Sequence, residues 1–150
     1  VSVLYWRRNM NVSELGHGAH PNDPTLAAKP DGCTVVEYKD YFLVYGGWAA
    51  DRIWRLNIPS ASWTEVVTHG TVPHARIHHA AAVYNGFMLV TGGELVEARP
   101  GTRTAHLLSY YELDLDTYEW IAVETFGAVP TNRSHHTSDV VNDVLVVLGG

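Results

Sequence analysis

Glycine pairs and tryptophans recur along this chain at fixed distances, and this repetition constrains the fold more than any other feature. Gly46-Gly47 and Gly92-Gly93 lie 46 residues apart, and Gly149-Gly150 follows 57 residues later. Trp63 precedes Gly92 by 29 residues, and Trp120 precedes Gly149 by the same distance. The second interval holds 11 extra residues between its glycine pair and Trp120. The chain is therefore a repeat of about 46 residues with one insertion.

The pattern within each repeat predicts four short β-strands. Residues 41–44 and 87–90 are continuously apolar, as expected of strands buried on both faces. Residues 111–115 alternate between apolar and polar side chains, as expected of a half-exposed strand. Turn residues such as Asn85-Gly86 and Asp116-Thr117 separate these runs. No stretch of ten or more residues has a helical period. The chain is predicted to be all-β, and repeated four-stranded units of this length are typical of propeller blades.

The residues around these strands resemble the kelch repeat over about residues 32–150. An apolar strand ends in a glycine pair, an aromatic-rich strand and a tryptophan follow, and then come a proline, an arginine and a histidine. The first set is 42–47, 51–57, Trp63, Pro73, Arg76 and His78, and the second is 88–93, 111–117, Trp120, Pro130, Arg133 and His135. The tyrosine expected seven residues before each tryptophan is Leu56 or Leu113, and aromatics stand two residues earlier. The resemblance implies kelch-type β-propeller blades of four antiparallel strands.

Closed propellers contain about 4–8 blades, so these 150 residues are expected to form an incomplete propeller, a fragment. Residues 32–67 are assigned to a first kelch blade and 78–124 to a second blade with an insertion at 94–106. Residues 134–150 are assigned to the first half of a third blade. Residues 1–31 are expected to form an irregular N-terminal segment, either a loop or the end of a preceding blade.

Composition excludes several classes of function. With 10 Lys+Arg against 16 Asp+Glu, the net charge of −6 counts against general binding to nucleic acid or to acidic membranes. Cys33 is the one cysteine, which excludes an intramolecular disulfide and a cysteine-rich zinc site. The missing disulfides favour an intracellular setting, and a cytoplasmic location is expected.

The face that carries the long loops is the predicted binding face. In an antiparallel blade, the turns between the second and third strands lie on the same side as the blade-to-blade connections. The insertion at 94–106 belongs to this side, and long loops on repeat scaffolds often carry binding. A neutral surface loop is the alternative interpretation. The predicted partner-binding residues are Arg76, Arg133, Trp48, Arg52, Arg99, Arg103 and His74.

Arg76 and Arg133 stand at equivalent places in the repeat. The resemblance to kelch propellers that capture acidic peptides implies that both line the mouth of a central channel. A guanidinium group suits this role because it presents a fork of donors to a carboxylate. The alternative is a structural arginine that bonds carbonyl groups between blades, and the two roles can coexist.

No catalytic residue, metal site or cofactor is predicted. The chain has no Gly-x-Ser-x-Gly element and no glycine-rich phosphate loop before a helix. His78-His79 and His135-His136 repeat, but adjacent strand residues point to opposite faces, so one doublet is poorly placed to chelate one metal ion. No carboxylate repeats with them. Histidines that bond the backbone at the start of each kelch blade are the favoured interpretation.

These observations predict a non-catalytic protein-interaction module or scaffold that binds another protein or a peptide segment, with an acidic segment as one option. Three alternatives stay open. The chain could be the substrate-recognition subunit of a ubiquitin ligase, a structural subunit of a large cytoskeletal or ciliary assembly, or the accessory propeller of an enzyme.

Overall fold

A computed structural model describes residues 32–47, 52–96 and 109–150. These residues form strands and turns without a helix, so the predicted all-β fold is confirmed. Within these ranges there is no helix with the length and apolar character needed to cross a membrane. The strands are β1 (Cys33–Tyr38), β2 (Tyr41–Gly46), β3 (Ile53–Asn57), β4 (Ser62–Val66), β5 (His69–Gly70), β6 (Arg76–Ile77), β7 (Ala80–Tyr84), β8 (Phe87–Thr91), β9 (Glu94–Leu95), β10 (Tyr110–Asp114), β11 (Glu119–Val123), β12 (His136–Val141) and β13 (Val144–Gly149).

The first sheet has the order β1-β2-β3-β4, and each neighbouring pair is antiparallel. A tight turn joins β1 to β2 and sets Tyr38 opposite Tyr41. The apolar run of β2 is buried continuously from Phe42 to Tyr45, as its sequence predicts for a strand covered on both faces. β4 is mostly exposed and forms the outer edge of this sheet.

The second sheet has the order β5-β11-β10-β8-β7. β5 belongs to the connection that follows the first sheet, and it adds to the outer edge in parallel with β11. The hairpin between β7 and β8 turns at Asn85-Gly86, where both residues have positive φ, as the turn residues predict. The first strand of this hairpin, β7, begins at Ala80, two residues after His78. His78 has a φ of 54°, in the left-handed region, and this conformation cannot continue a strand.

The remaining strands form two small sheets. β12 and β13 make an antiparallel hairpin, and β6 pairs with β9. The first strands of the larger units lie together, because β7 contacts both β1 and β12. The sheets are therefore arranged side by side with their first strands along one inner edge.

The core of the described residues lies between the first and second sheets. Its buried side chains are Val36, Leu43, Tyr45 and Ile53 from the first sheet, and Met88, Val90, Leu113, Leu115 and Trp120 from the second. Trp120 is 1% exposed, and its ring centroid lies 5.2 Å from that of Tyr45 across the interface. A large aromatic ring in this place fills the space between two twisted sheets.

Replacing Trp120 by alanine is expected to lower the free energy of unfolding by ~3–5 kcal/mol, because it leaves a cavity between the sheets. The matched control is Trp63→Ala at the equivalent place in β4, where the side chain is only partly buried and a smaller loss is expected. Denaturant titrations followed by far-ultraviolet circular dichroism measure both losses. Equal losses in the two variants would contradict the assigned role of Trp120 between the sheets.

Candidate functional site

The guanidinium group of Arg76 is buried at the start of the second sheet. Its Nε donates to the carbonyl oxygen of His74 (3.2 Å), and its Nη1 donates to the carbonyl of Gly92 (2.9 Å) and to Ser109 Oγ (3.0 Å). The group also lies 5.0 Å from the ring centroid of Tyr111. Burial lowers the pKa of Arg76, and nearby tyrosine hydroxyls oppose this shift. The side chain stays charged and ties the connection to the end of β8.

Arg133 repeats this arrangement at the start of β12. It donates from Nε to the carbonyl oxygen of Thr131 (3.2 Å) and from Nη1 to that of Gly149 (2.8 Å). Unlike Arg76, it is partly exposed. The two arginines meet at one glycine pair. Gly92 accepts from the Arg76 guanidinium, and the Gly93 amide donates to the Arg133 carbonyl (2.9 Å). This glycine pair thus bonds both the connection that precedes the second sheet and the connection that follows it.

The glycine pairs are required because the next connection lies directly against them. Gly46 and Gly92 both have positive φ, at 75° and 62°. A Cβ on Gly46 would overlap the ring of His79, and one on Gly92 would come 2.6 Å from Cε1 of His136. The side chain that lies against each of these glycines is the second histidine of a doublet.

The second histidine of each doublet hydrogen-bonds a threonine of the preceding sheet. His79 Nε2 lies 2.8 Å from Thr34 Oγ1, and His136 Nε2 lies 2.9 Å from Thr91 Oγ1. Burial, followed by the charge of Arg76, lowers the pKa of His79 to about 3. Burial also lowers the pKa of His136. Both imidazoles are therefore neutral near pH 7 and serve as links between sheets.

The threonine that bonds the second histidine of a doublet lies in a different strand in each of the two sheets. Thr34 lies in β1 opposite Tyr45, whereas Thr91 lies in β8 opposite Ala80. The 46-residue repeat places Ala80 at the position of Thr34, and Thr91 at that of Tyr45. Since the two residues of each pair face each other across the hairpin, either can supply the hydroxyl. Both sheets therefore have the hydrogen bond between threonine and histidine, although the two threonines do not stand at equivalent positions of the repeat.

The first histidines of the doublets face each other instead. The rings of His78 and His135 are stacked, with centroids 3.8 Å apart, and the His135 amide donates to the His78 carbonyl (2.9 Å). Glu94 Oε1 lies 3.9 Å from His78 Nδ1 and 3.6 Å from His135 Nδ1. Ser134 Oγ donates to the same carboxylate oxygen (2.6 Å). Three possible metal ligands therefore meet within 4.8 Å.

Sequence reasoning missed this cluster. The two members of each doublet do separate, as predicted. A metal site was not predicted because no carboxylate repeats with the histidines, and the meeting of His78 and His135 with Glu94 was therefore missed. Glu94 opens the insertion, and the residue 46 positions before it is Trp48, so the repeat gave no signal for it.

The other predicted partner-binding residues are spread over the molecule. His74 is exposed, and its carbonyl holds Arg76. Arg52 is exposed and pairs with Glu65 at 3.6 Å. The role of Arg52, His74, Arg76 and Arg133 in binding a partner stays a prediction. Three further predicted residues lie outside the described ranges: Trp48, Arg99 and Arg103.

Antiparallel four-stranded sheets arranged around their first strands are blades of a β-propeller. The solved structure of YjhT is similar to this chain in fold, with a TM-score of 0.65 at 18% sequence identity. The similarity covers 80% of this chain and 33% of the YjhT chain. Residues 26–150 match the KLHDC2/KLHL20/DRC7 Kelch-repeats domain. The chain belongs to the kelch-repeat family, as its motifs predicted, and repeats of this family generally act as protein-interaction modules.

Curated relatives extend the similarity to much longer proteins. The leucine-zipper-like transcriptional regulator 1 homolog of Drosophila melanogaster is 26% identical over 150 residues, which is 97% of this chain and 14% of that protein. Human host cell factor 2 is 35% identical over 88 residues, which is 59% of this chain and 11% of that protein. Human leucine-zipper-like transcriptional regulator 1 is 31% identical over 156 residues, with 99% and 19% covered. The chain thus spans less than a fifth of each relative.

Thr34→Val and Thr91→Val are each expected to lower the free energy of unfolding by ~1–3 kcal/mol, because each leaves a buried imidazole nitrogen without its partner. Thr64→Val, at an exposed position in β4, is the control and should stay within ~0.5 kcal/mol of the unchanged protein. Denaturant titration of the three variants measures these differences. The link between sheets would be refuted if Thr91→Val were no more destabilising than Thr64→Val.

Proposed function

We propose that the chain is a non-catalytic protein-interaction module, and that a partner segment binds to the face that carries its long loops. Membership of the kelch-repeat family supports the general role. The architecture agrees with it, since the three buried arginine and histidine side chains that could do chemistry are all bonded within the scaffold: Arg76, His79 and His136.

The pairing of β6 with β9 is the observation that carries this proposal. Arg76 lies opposite Leu95 and Ile77 lies opposite Glu94, and the Val96 amide donates to the Ala75 carbonyl (3.1 Å). The first residues of the insertion therefore run alongside the connection between blades. A connection and a long loop held side by side on a rigid sheet are a suitable surface for recognition.

Exposed apolar side chains recur on the same connections. Val72 is 43% exposed, and Val129, which is 57 residues later, is 39% exposed. Each precedes a proline and lies four residues before the repeated arginine. Phe126, at the start of the second connection, is 88% exposed. These residues supply apolar contact area beside the polar groups of the loops.

Within this proposal the arginines have different tasks. Arg76 positions the connection, because its donors are directed to main-chain carbonyls and Ser109. Arg133 is partly exposed and is assigned to acid groups or carbonyls of the partner, for which its donor fork is suited. The other residues assigned to partner contact are Arg52, His74, Trp48, Arg99 and Arg103.

The test compares changes on the two faces of the intact protein. One variant combines His74→Ala with Arg133→Ala, and a second lacks residues 97–106. The control combines Lys39→Ala with Asp116→Ala, which removes an exposed ion pair (2.8 Å) between turns on the opposite face. Partners are captured on each purified protein and compared by quantitative mass spectrometry, and circular dichroism verifies the fold.

Partners recovered with the unchanged protein should fall at least ~10-fold with both loop-face variants, a loss typical of removing interface contacts worth more than 1 kcal/mol each. They should remain with the control. Full recovery with both loop-face variants, or loss with the control alone, would overturn the proposal.

A further inference from the structure

We propose that His78, Glu94 and His135 form a binding site for a divalent transition-metal ion such as Zn²⁺, shared between two successive blades. The site would add a second capacity to the chain, and one of its ligands, Glu94, is the first residue of the insertion. Its donors are two imidazole nitrogens and one carboxylate oxygen, a set that suits Zn²⁺ and its neighbours in the first transition row.

The separations of the ligand atoms match a metal site better than a set of hydrogen bonds. The carboxylate oxygen of Glu94 is 3.9 Å from His78 Nδ1 and 3.6 Å from His135 Nδ1. Direct hydrogen bonds between nitrogen and oxygen would be about 2.7–3.2 Å long. Ligands that lie ~2.1 Å from a tetrahedral Zn²⁺ are separated by ~3.4 Å. Because the two rings are stacked at an interplanar angle of 27°, both must turn about their side-chain bonds, as well as move inward, for their nitrogen lone pairs to meet at one ion.

The backbone holds both imidazoles in place before any ion binds. His78 and His135 have φ of 54° and 58°, and each amide donates to the carbonyl of the corresponding residue one blade earlier. The first of these acceptors is Gly32, at 2.9 Å, and the second is His78, also at 2.9 Å. A main-chain bond to the preceding blade therefore fixes the backbone of each histidine, and the two rings stack.

Ser134 orients the carboxylate as an outer partner of the site. Its hydroxyl donates to Glu94 Oε1 at 2.6 Å and lies 3.1 Å from His135 Nδ1. The hydroxyl has one proton, and donating it to Glu94 leaves the nitrogen lone pair of His135 available. Hydrogen bonds of this kind to a metal-binding carboxylate typically raise metal affinity by 10–100-fold.

The charge balance of the cluster also calls for a cation. His78 Nδ1 is buried and has no hydrogen-bond partner among the described residues. It lies near a carboxylate oxygen and a second imidazole, and these three ligand atoms are within 4.8 Å of one another. A divalent ion would satisfy all of them. The His135 side chain is 62% exposed, which gives the ion a path from solvent and leaves room for a water as the fourth ligand.

Zn²⁺ binding to the full chain tests the proposal. After removal of metals by chelation, the protein is titrated with Zn²⁺ by isothermal calorimetry, and bound metal is counted by elemental analysis after dialysis. Co²⁺ replaces Zn²⁺ in a parallel sample, because its visible absorption reports the coordination geometry. The variants are His135→Asn and Glu94→Gln. Asparagine is chosen because it tolerates the left-handed backbone of His135.

The unchanged protein should bind Zn²⁺ with one saturable site that both variants lose, and Ser134→Ala should weaken that site by ~10-fold. His69→Asn is the matched control: this exposed histidine of β5 lies outside the cluster, so the site should be unaffected. Circular dichroism confirms that each variant is folded. The proposal is overturned if the unchanged protein binds no more Zn²⁺ than His135→Asn, or if His69→Asn removes the same site.

Discussion

Each blade is held to the next by a main-chain hydrogen bond from a glycine pair to the carbonyl of an arginine, and the rest of the structure depends on this joint. The bond is 3.0 Å from Gly47 to Arg76 and 2.9 Å from Gly93 to Arg133. A guanidinium group then bonds the next glycine pair, which compensates the burial of its charge. The glycine pair, the arginine and the histidine doublet thus form one interaction rather than three separate motifs.

The fold could be predicted because its signals are local or repeated. The apolar run of β2, the turn at Asn85-Gly86 and the spacing of glycine pairs each depend on residue type alone. The start of β7 could not be predicted in this way, because residue type alone does not show that His78 has a positive φ. Gly32, 46 residues before His78, was the one available signal, since glycine often marks such a conformation.

The site was less predictable because its contacts join residues from different blades. Thr34 and His79 are 45 residues apart, as are Thr91 and His136, yet the two threonines belong to different strands of their hairpins. A comparison of equivalent positions therefore misses the hydroxyl. Glu94 reaches its histidines only because β9 pairs with β6, and a two-residue strand has too short a pattern to be detected in sequence.

The line of hydrogen bonds through Gly32, His78 and His135 uses main-chain atoms alone. The requirement at each step is a backbone with positive φ, which one glycine and two histidines meet in this chain. The side chain at that position consequently takes no part in these hydrogen bonds. A Cβ on Gly32 would lie 2.7 Å from that of Ile77, so the chemical group can change at the two histidine positions, among residue types that tolerate positive φ, while the scaffold is preserved. A propeller built in this way can acquire or lose functions there one blade at a time.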